Sequence, residues 1–180
     1  EMQLSHTPFD YVYLNGIETG HVEEQELSGY NVLFYPHPEI LNVGRMQILE
    51  RYVKNGGTII FGCRTGQKDM TGKCVMEPLP GLAGKLTGAD VLEYSFIAPD
   101  EGTILIKWEE ETFEASTFYE MLDVQPQSNG KVLACYQNGT YAGSPALIEQ
   151  EFGKGKVYYL GAGFTRGAVQ TFLSKLNERE

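Results

Sequence analysis

The sequence predicts an α/β fold in which a doubly wound, mostly parallel sheet carries a short-stranded antiparallel extension. Residues 43–54 place apolar side chains at the three-and-four spacing of an amphipathic helix, and Asn55-Gly56 supplies a left-handed cap after it. Residues 58–61 are Thr-Ile-Ile-Phe, a composition typical of a strand that is covered on both faces. Because residues 30–35 predict an earlier strand, the order is strand, helix, strand, for which a right-handed parallel crossover is expected.

Three further features are predicted outside that unit. Residues 10–14 alternate and are rich in Tyr and Val, which predicts a strand ahead of the one at 30–35. Residues 66–88 shift to Gly, Pro, Lys and Met, which indicates a long loop excursion with a short helix near 81–86. The chain is expected to form a single domain over residues 1–180.

The segment 89–150 is predicted to be rich in short strands. Its candidate strands lie around Ile97 and at 103–108, 114–120, 132–136 and 146–149. Turn sequences separate them at Asp100-Glu101-Gly102, Ser128-Asn129-Gly130 and Asn138-Gly139. Antiparallel pairing into a small sheet, or onto the main one, is expected. A tight turn at 153–156 then leads into a strand at 157–161, and a helix with one apolar face is predicted at 167–176.

The charge balance excludes several classes of partner. The net charge is −10, whereas binding to nucleic acid or to an anionic membrane requires clustered Lys and Arg. No apolar run approaches the ~20 residues of a membrane span. We therefore expect no nucleic-acid partner and no membrane partner.

The cysteines and histidines predict neither a metal site nor a disulfide framework. The three cysteines are Cys63, Cys74 and Cys135, and the three histidines are His6, His21 and His37. No C-x-x-C pair and no zinc-ligand spacing occurs among them. Reduced thiols in the cytoplasm are the favoured interpretation. Gly161-Ala162-Gly163 lacks the third glycine of a dinucleotide fingerprint, so no cofactor is predicted either.

The loop at 63–69 is the first place to look for function, because ligands bind at the carboxyl ends of the strands in open α/β sheets. A cysteine-dependent hydrolase built on Cys63 is one alternative. The nucleophile of such an enzyme has glycine two residues before and two after it, whereas Phe61 and Thr65 occupy those positions, and no histidine follows residue 37. A structural thiol is favoured. Arg64, Lys68 and Asp69 offer a carboxylate or sugar site, but a loop anchor or a subunit contact is the preferred hypothesis.

Several segments together resemble one known family along nearly the whole chain. They are residues 49–58, the Arg-Thr-Gly-Gln-Lys-Asp loop at 64–69, the Leu-Pro-Gly at 79–81, the Tyr-Ala-Gly-Ser-Pro-Ala at 141–146, and residues 152–161. This set resembles the middle domain of glycoside hydrolase family 42 β-galactosidases, which is called the trimerisation domain. The loop at 64–69 and the segment 141–146 carry the narrower assignment, since the others also occur in amidotransferase-like proteins.

The resemblance implies a class I glutamine amidotransferase-like, flavodoxin-like fold that has lost its catalytic residues. In the family, both catalytic glutamates belong to a preceding (β/α)₈ barrel, so no glutamate of this chain inherits a catalytic role and the chain is expected to be a fragment. The implied function is non-catalytic assembly of a cytoplasmic β-galactosidase. Its implied partners are further copies in a homotrimer and the barrel domain of the same full-length chain.

The assembly hypothesis names candidate contacts in two places. One is the loop from Arg64 to Pro80, with Lys68 and Asp69 in it, and the other is the strand-rich segment around Trp108 and Phe113. A carbohydrate-binding module remains an alternative, since eleven tyrosines and Trp108 offer aromatic surfaces for sugars.

Overall fold

A computed structural model describes residues 2–3 and 7–177. The helices are α1 Leu14–Glu18, α2 Val43–Lys54, α3 Gly84–Thr87 and α4 Arg166–Asn177, with 3₁₀ turns at Glu24–Gly29 and Gly81–Ala83. The first five strands are β1 Val32–Tyr35, β2 Thr58–Phe61, β3 Ala89–Phe96, β4 Leu105–Trp108 and β5 Glu111–Glu114. The other five are β6 Ser116–Val124, β7 Lys131–Tyr136, β8 Pro145–Phe152, β9 Gly155–Leu160 and β10 Ala162–Gly163. Over the described ranges, no helix is long and apolar enough to cross a membrane.

The strands form a seven-stranded mixed sheet in the order β1-β2-β9-β8-β7-β4-β5 and a three-stranded sheet in the order β10-β6-β3. Only the β1–β2 and β2–β9 pairs of the large sheet are parallel; the other four pairs are antiparallel. The predicted doubly wound, mostly parallel sheet is therefore wrong, and this topology does not support the amidotransferase-like, flavodoxin-like arrangement either.

Short connections are the physical reason for the mixed sheet. A parallel neighbour needs a crossover of about a dozen residues or more, usually through a helix. Only Gly153 and Lys154 separate β8 from β9, and only Glu109 and Glu110 separate β4 from β5. Such two-residue links impose antiparallel hairpins, so the parallel part ends at β9.

The predicted strand–helix–strand unit is confirmed. Strand β1, helix α2 and strand β2 occur in that order, with Val32 opposite Thr58 in a parallel register. The Asn42 side chain caps α2 by accepting a hydrogen bond of 2.8 Å from the Arg45 N–H, which satisfies one of the free amides at a helix start. The short helix near 81–86 and the C-terminal helix are also confirmed.

The strand predicted at 10–14 is wrong. Helix α1 begins at Leu14, and the residues just before it have no regular structure. Tyr11 is 92% exposed and Tyr13 is 65% exposed, so their alternation with valine does not mark a buried strand face. Conversely, the long strand β3 begins well before Ile97, where the sequence suggested a strand.

Two hydrophobic cores lie on the two faces of the large sheet. Ile59 and Phe61 of β2 belong to the core that contains α2, whereas Ile60 belongs to the core that contains α4. This division follows from the period of two in a strand, which sends neighbouring side chains to opposite faces. The continuous apolar run in β2 is explained because both of its faces are covered.

Candidate functional site

The loop that follows β2 lies at the carboxyl ends of the parallel strands. Its first residues, Cys63 and Arg64, line a cleft of about 360 Å³ together with His37, which follows β1, and Phe164, which follows β10. Thr117 and Phe118 of β6 form its other side. The cleft is at the position where α/β sheets bind ligands, although only the strands β1, β2 and β9 are parallel here.

Strained backbone is concentrated at this cleft. In the part of the chain that the structure describes, four non-glycine residues have a positive φ, and three of them line the cleft: His37 at 51°, Arg64 at 63° and Thr117 at 62°. The fourth, Glu109, is in the β4–β5 turn. Such conformations cost free energy and persist only where the surroundings hold them, so the neighbouring contacts must fix this loop.

Internal contacts engage the Arg64 and Lys68 side chains. The Arg64 Nε donates to the Gln67 Oε1 at 3.2 Å, its Nη2 donates to Glu39, and its guanidinium lies 4.5 Å from the centre of the Phe118 ring. The Lys68 Nζ lies 3.3 Å from the second carboxylate oxygen of Glu39. Both cations therefore anchor the loop to the segment after β1 through one carboxylate.

A buried carboxyl group holds the strained residue from below. The Arg64 N–H donates to the Glu120 Oε1 at 2.7 Å, and the Tyr159 hydroxyl donates to the Glu120 Oε2 at 2.8 Å. Burial raises the pKa of Glu120 to about 7, although both hydrogen bonds and the Arg64 charge act in the opposite direction. Sequence analysis placed Glu120 at the end of a predicted strand but had no means of showing that its carboxyl group is buried.

The structure brings Cys63 and His37 together, a pair that the sequence analysis missed because it sought a histidine only later in the chain. The Cys63 Sγ lies 3.5 Å from the His37 Nδ1. That nitrogen is also 3.1 Å from the Cys63 carbonyl oxygen, and the Phe164 N–H is 3.5 Å from the His37 Nε2. The tautomer with hydrogen on Nδ1 satisfies both of these contacts, which leaves no free base for the thiol.

The thiol itself is poorly suited to nucleophilic chemistry. Cys63 is 1% exposed, and burial is the main cause that raises the pKa of its thiol, with the Glu120 charge adding to it. A reactive cysteine needs a lowered pKa and access to its substrate. The cysteine-dependent hydrolase therefore receives no support from this geometry.

Asp69 organises the turn that follows the anchored part of the loop. Its Oδ1 accepts hydrogen bonds from the Thr71 N–H at 2.8 Å, the Thr71 hydroxyl at 2.7 Å and the Lys73 N–H at 3.1 Å. The Thr71 bonds are the largest cause that lowers the pKa of Asp69. This carboxylate therefore stabilises a local turn, as Asp commonly does.

Two glycines close the loop into a neck. Gly66 has a φ of 67° and Gly81 has a φ of 59°. A Cβ on Gly66 would collide with the Pro80 carbonyl oxygen, and one on Gly81 would lie 2.8 Å from the Gly66 carbonyl oxygen. We define the excursion loop as residues 66–81, whose two ends touch backbone to backbone.

The predicted aromatic candidates lie inside the protein. Trp108 is 1% exposed and Phe113 is 3% exposed, and the Trp108 ring packs 5.2 Å from that of Phe172. Six of the eleven tyrosines are buried as well: Tyr52, Tyr119, Tyr136, Tyr141, Tyr158 and Tyr159. Trp108 and Phe113 present almost no surface to a subunit or a sugar, so we do not carry them into the interface proposed below.

The fold and the cleft define a scaffold domain whose ionisable loop residues are engaged in internal contacts. Comparison with known families gives the particular assignment: the model of the β-galactosidase trimerisation domain matches residues 9–180. The chain belongs to this family.

Individual relatives agree with the family match. The chain is 31% identical over 157 residues to β-galactosidase BgaA of Clostridium cellulovorans, a match that covers 87% of this chain and 23% of that protein. Among solved structures, β-galactosidase from Bacillus circulans sp. alkalophilus superposes with a TM-score of 0.76 at 22% identity, covering 84% of this chain and 23% of that one. The β-galactosidase of Halorubrum lacusprofundi gives the same TM-score at 24% identity, over 99% of this chain and 28% of that one. The chain thus spans about a quarter of the length of the relatives it matches.

Proposed function

We propose that this chain is the non-catalytic self-association domain of a longer β-galactosidase and that it joins three copies into a homotrimer. The observation that carries the proposal is the match of the trimerisation-domain family over residues 9–180. The loop contacts agree with a structural role, because Arg64, Lys68 and Asp69 are engaged in contacts within the chain.

The hydrolysis of terminal β-D-galactosides belongs, in this proposal, to the longer protein. The relatives named β-galactosidases are about four times as long as the matched segment. We assign the catalytic groups to the barrel domain of the same full-length chain, with which this domain is in contact. The Cys63–His37 pair gives no competing chemistry, since the thiol is buried and the imidazole is engaged by backbone groups.

A cytoplasmic location is the third part of the proposal. Cys63, Cys74 and Cys135 are free thiols in the structure, and Cys74 is exposed. Exposed free thiols persist in reducing compartments and become oxidised in secreted proteins. Alkylation of the protein in freshly lysed cells, followed by mass spectrometry, is expected to find all three thiols modified without prior reduction; an oxidised Cys74 would contradict this location.

Light scattering coupled to size exclusion tests the assembly directly. Across a dilution series, the chain is expected to give a species near three times 20.1 kDa at high concentration. A mass of one or two copies at every concentration would contradict the homotrimer. The same samples are expected to leave a chromogenic aryl β-D-galactoside intact, and hydrolysis by the purified chain would refute the non-catalytic assignment.

A further inference from the structure

Strand β3 presents three large apolar side chains to solvent. Leu92 is 55% exposed, Tyr94 is 59% exposed and Phe96 is 55% exposed. They alternate along a strand at the edge of the three-stranded sheet, where β3 pairs only with β6. We define these three residues as the β3 patch. From their exposed fractions, the patch offers roughly 300 Å² of surface, comparable to the largest apolar patch of a typical monomer.

The β3 patch adjoins the anchored loop. Phe96 lies opposite Phe118 in the β3–β6 register, and their rings meet edge to face at 5.6 Å. Phe118 in turn lies beneath the guanidinium of Arg64. Tyr94 lies opposite Glu120, which is only 1% exposed because the backbone after β2 covers it. The internal cover of the sheet therefore stops between β6 and β3.

The excursion loop extends the same surface. The Leu79 carbonyl oxygen accepts a hydrogen bond of 2.9 Å from the Val91 N–H, which ties the loop to β3 next to the patch. Within the loop, Met70 is 61% exposed and Met76 is 95% exposed. Methionine is common at adaptable binding surfaces because its side chain is flexible and polarizable.

We infer that the β3 patch is the centre of the surface by which one copy of this chain binds a second copy. This inference rests on the proposed self-association and names the surface that performs it. The occupant is a second copy because the family to which the chain belongs is a trimerisation domain. A closed trimer uses head-to-tail contacts, so the patch meets a different surface on the next copy, and three equivalent contacts close the ring.

Charge and area favour the same surface. Each copy carries a net charge of −10, so two copies repel unless the contact avoids acidic groups. Within residues 92–96 the only charged side chain is that of Glu93. A stable interface buries roughly 800 Å² on each partner, so the patch supplies the aromatic centre and the methionines of the excursion loop supply further area.

The test replaces the two aromatic residues of the patch and compares them with a matched aromatic residue elsewhere. Threonine retains the strand propensity of β3, so the double variant Tyr94→Thr, Phe96→Thr is expected to fold. Tyr11→Thr is the control, because Tyr11 is 92% exposed on the N-terminal segment. By sedimentation equilibrium, the double variant is expected to raise the dissociation constant roughly tenfold or more, and the control less than about twofold.

Circular dichroism and thermal unfolding of all three proteins establish that the variants are folded. If the parent chain is trimeric and the folded double variant associates as tightly, the β3 patch is not the interface while the proposed self-association stands. If Tyr11→Thr alone dissociates the trimer, the interface lies at the N-terminal segment. If the parent chain is a monomer at every concentration, the proposed function itself fails and the inference fails with it.

Hydrogen exchange supplies a second measurement that requires no variant. Amides of residues 91–97 are expected to exchange more slowly at concentrations where the parent chain is trimeric than at concentrations where it is a monomer. The strand β4 is the internal reference, since its burial within one copy makes its exchange insensitive to association. Unchanged exchange at 91–97 across the association midpoint would overturn the assignment.

Discussion

Strands β3 and β4 carry the same apolar alternation and end in opposite environments. In β4, Ile106 is 0% exposed and Trp108 is 1% exposed. In β3, Tyr94 and Phe96 stand at the same spacing of two, and more than half of each side chain is exposed. A period of two shows that one face of a strand is apolar, but it does not show what covers that face.

The position of each strand in its sheet explains the difference. Strand β4 lies between β7 and β5, and helix α4 covers it through Phe172. Strand β3 is an edge strand, and the nearest covering segment, the backbone at Arg64, reaches only its neighbour Glu120 on β6. The comparison teaches that an apolar face left open by its own chain is best explained by a cover from another molecule.

Removal of the covered ring in β4 is expected to give the largest effect. Trp108→Ala deletes a fully buried indole and is expected to lower the free energy of unfolding by about 3–5 kcal/mol. Urea unfolding followed by far-UV circular dichroism measures this, because Trp108 is the single tryptophan and its fluorescence is lost in the variant. A loss below about 1 kcal/mol would show that β4 is no better covered than β3.

The edge of the cover is tested by the pH dependence of Glu120, which lies opposite Tyr94. Its pKa is raised to about 7 in the folded protein from a usual value of 4.5, so the folded state retains a proton that the unfolded state releases. Stability is therefore expected to fall as pH rises through this window and to level off above it, by on the order of 3 kcal/mol in total.

The variant Glu120→Gln isolates this contribution, because its amide oxygen retains the hydrogen bond from the Arg64 N–H. The difference in unfolding free energy between parent and variant is measured by urea unfolding from about pH 4 to about pH 8. The acidic groups shared by the two proteins cancel in that difference. A difference that stays constant with pH would mean that Glu120 is solvated and that the cover extends less far than β6.

The Arg64 loop is expected to show an intermediate effect, and two substitutions separate its side chain from its backbone. Arg64→Ala removes the contacts with Glu39 and Phe118 and is expected to cost about 1–2 kcal/mol, since partly exposed ion pairs and cation–π contacts contribute little each. Arg64→Gly removes the same contacts but relieves the φ of 63°, so it is expected to cost about 1 kcal/mol less than alanine.

Thermal or urea unfolding of both Arg64 variants, together with their association, decides between outcomes. If alanine and glycine are equally stable, the backbone conformation at Arg64 is not strained. If Arg64→Ala leaves stability and association both unchanged, the loop is neither an anchor nor a contact.

The smallest effect on folding is expected at the open face of β3. In dilute solution, where the chain is a monomer, Tyr94→Thr with Phe96→Thr is expected to change the free energy of unfolding by less than about 0.5 kcal/mol per residue, as is usual for surface positions. Urea unfolding at low protein concentration measures it. A cost near that of Trp108→Ala would show that β3 is part of the monomer core and would remove the contrast with β4.

Local structure was largely accessible from the sequence near the strand–helix–strand unit. Helix α2 and strand β2 have the predicted bounds because the amphipathic spacing, the Asn55-Gly56 cap and the apolar run agree with one another. The sheet topology was not predicted, since pairing direction depends on connections whose geometry forms only in the folded chain. The two-residue links at 153–154 and 109–110 contained that information and outweighed the parallel pattern at the start.

The site was predicted in part. Position after a strand directed attention to Arg64, Lys68 and Asp69, and these residues do lie in one loop. The partners Glu39, His37 and Glu120 are distant in sequence, and no local pattern indicates that they converge on the loop. Trp108 was named for its size and rarity, which give no information on which way its ring points.

The touching ends of the excursion loop make residues 67–80 a replaceable insert. Because the backbones of Gly66 and Gly81 meet, the frame of the domain registers the insert only as a closed pair of ends, whatever its length. Related proteins are therefore free to exchange this segment for longer, shorter or chemically different ones without redesigning the strands below. A domain of this kind can change the company it keeps by rewriting one stretch of chain.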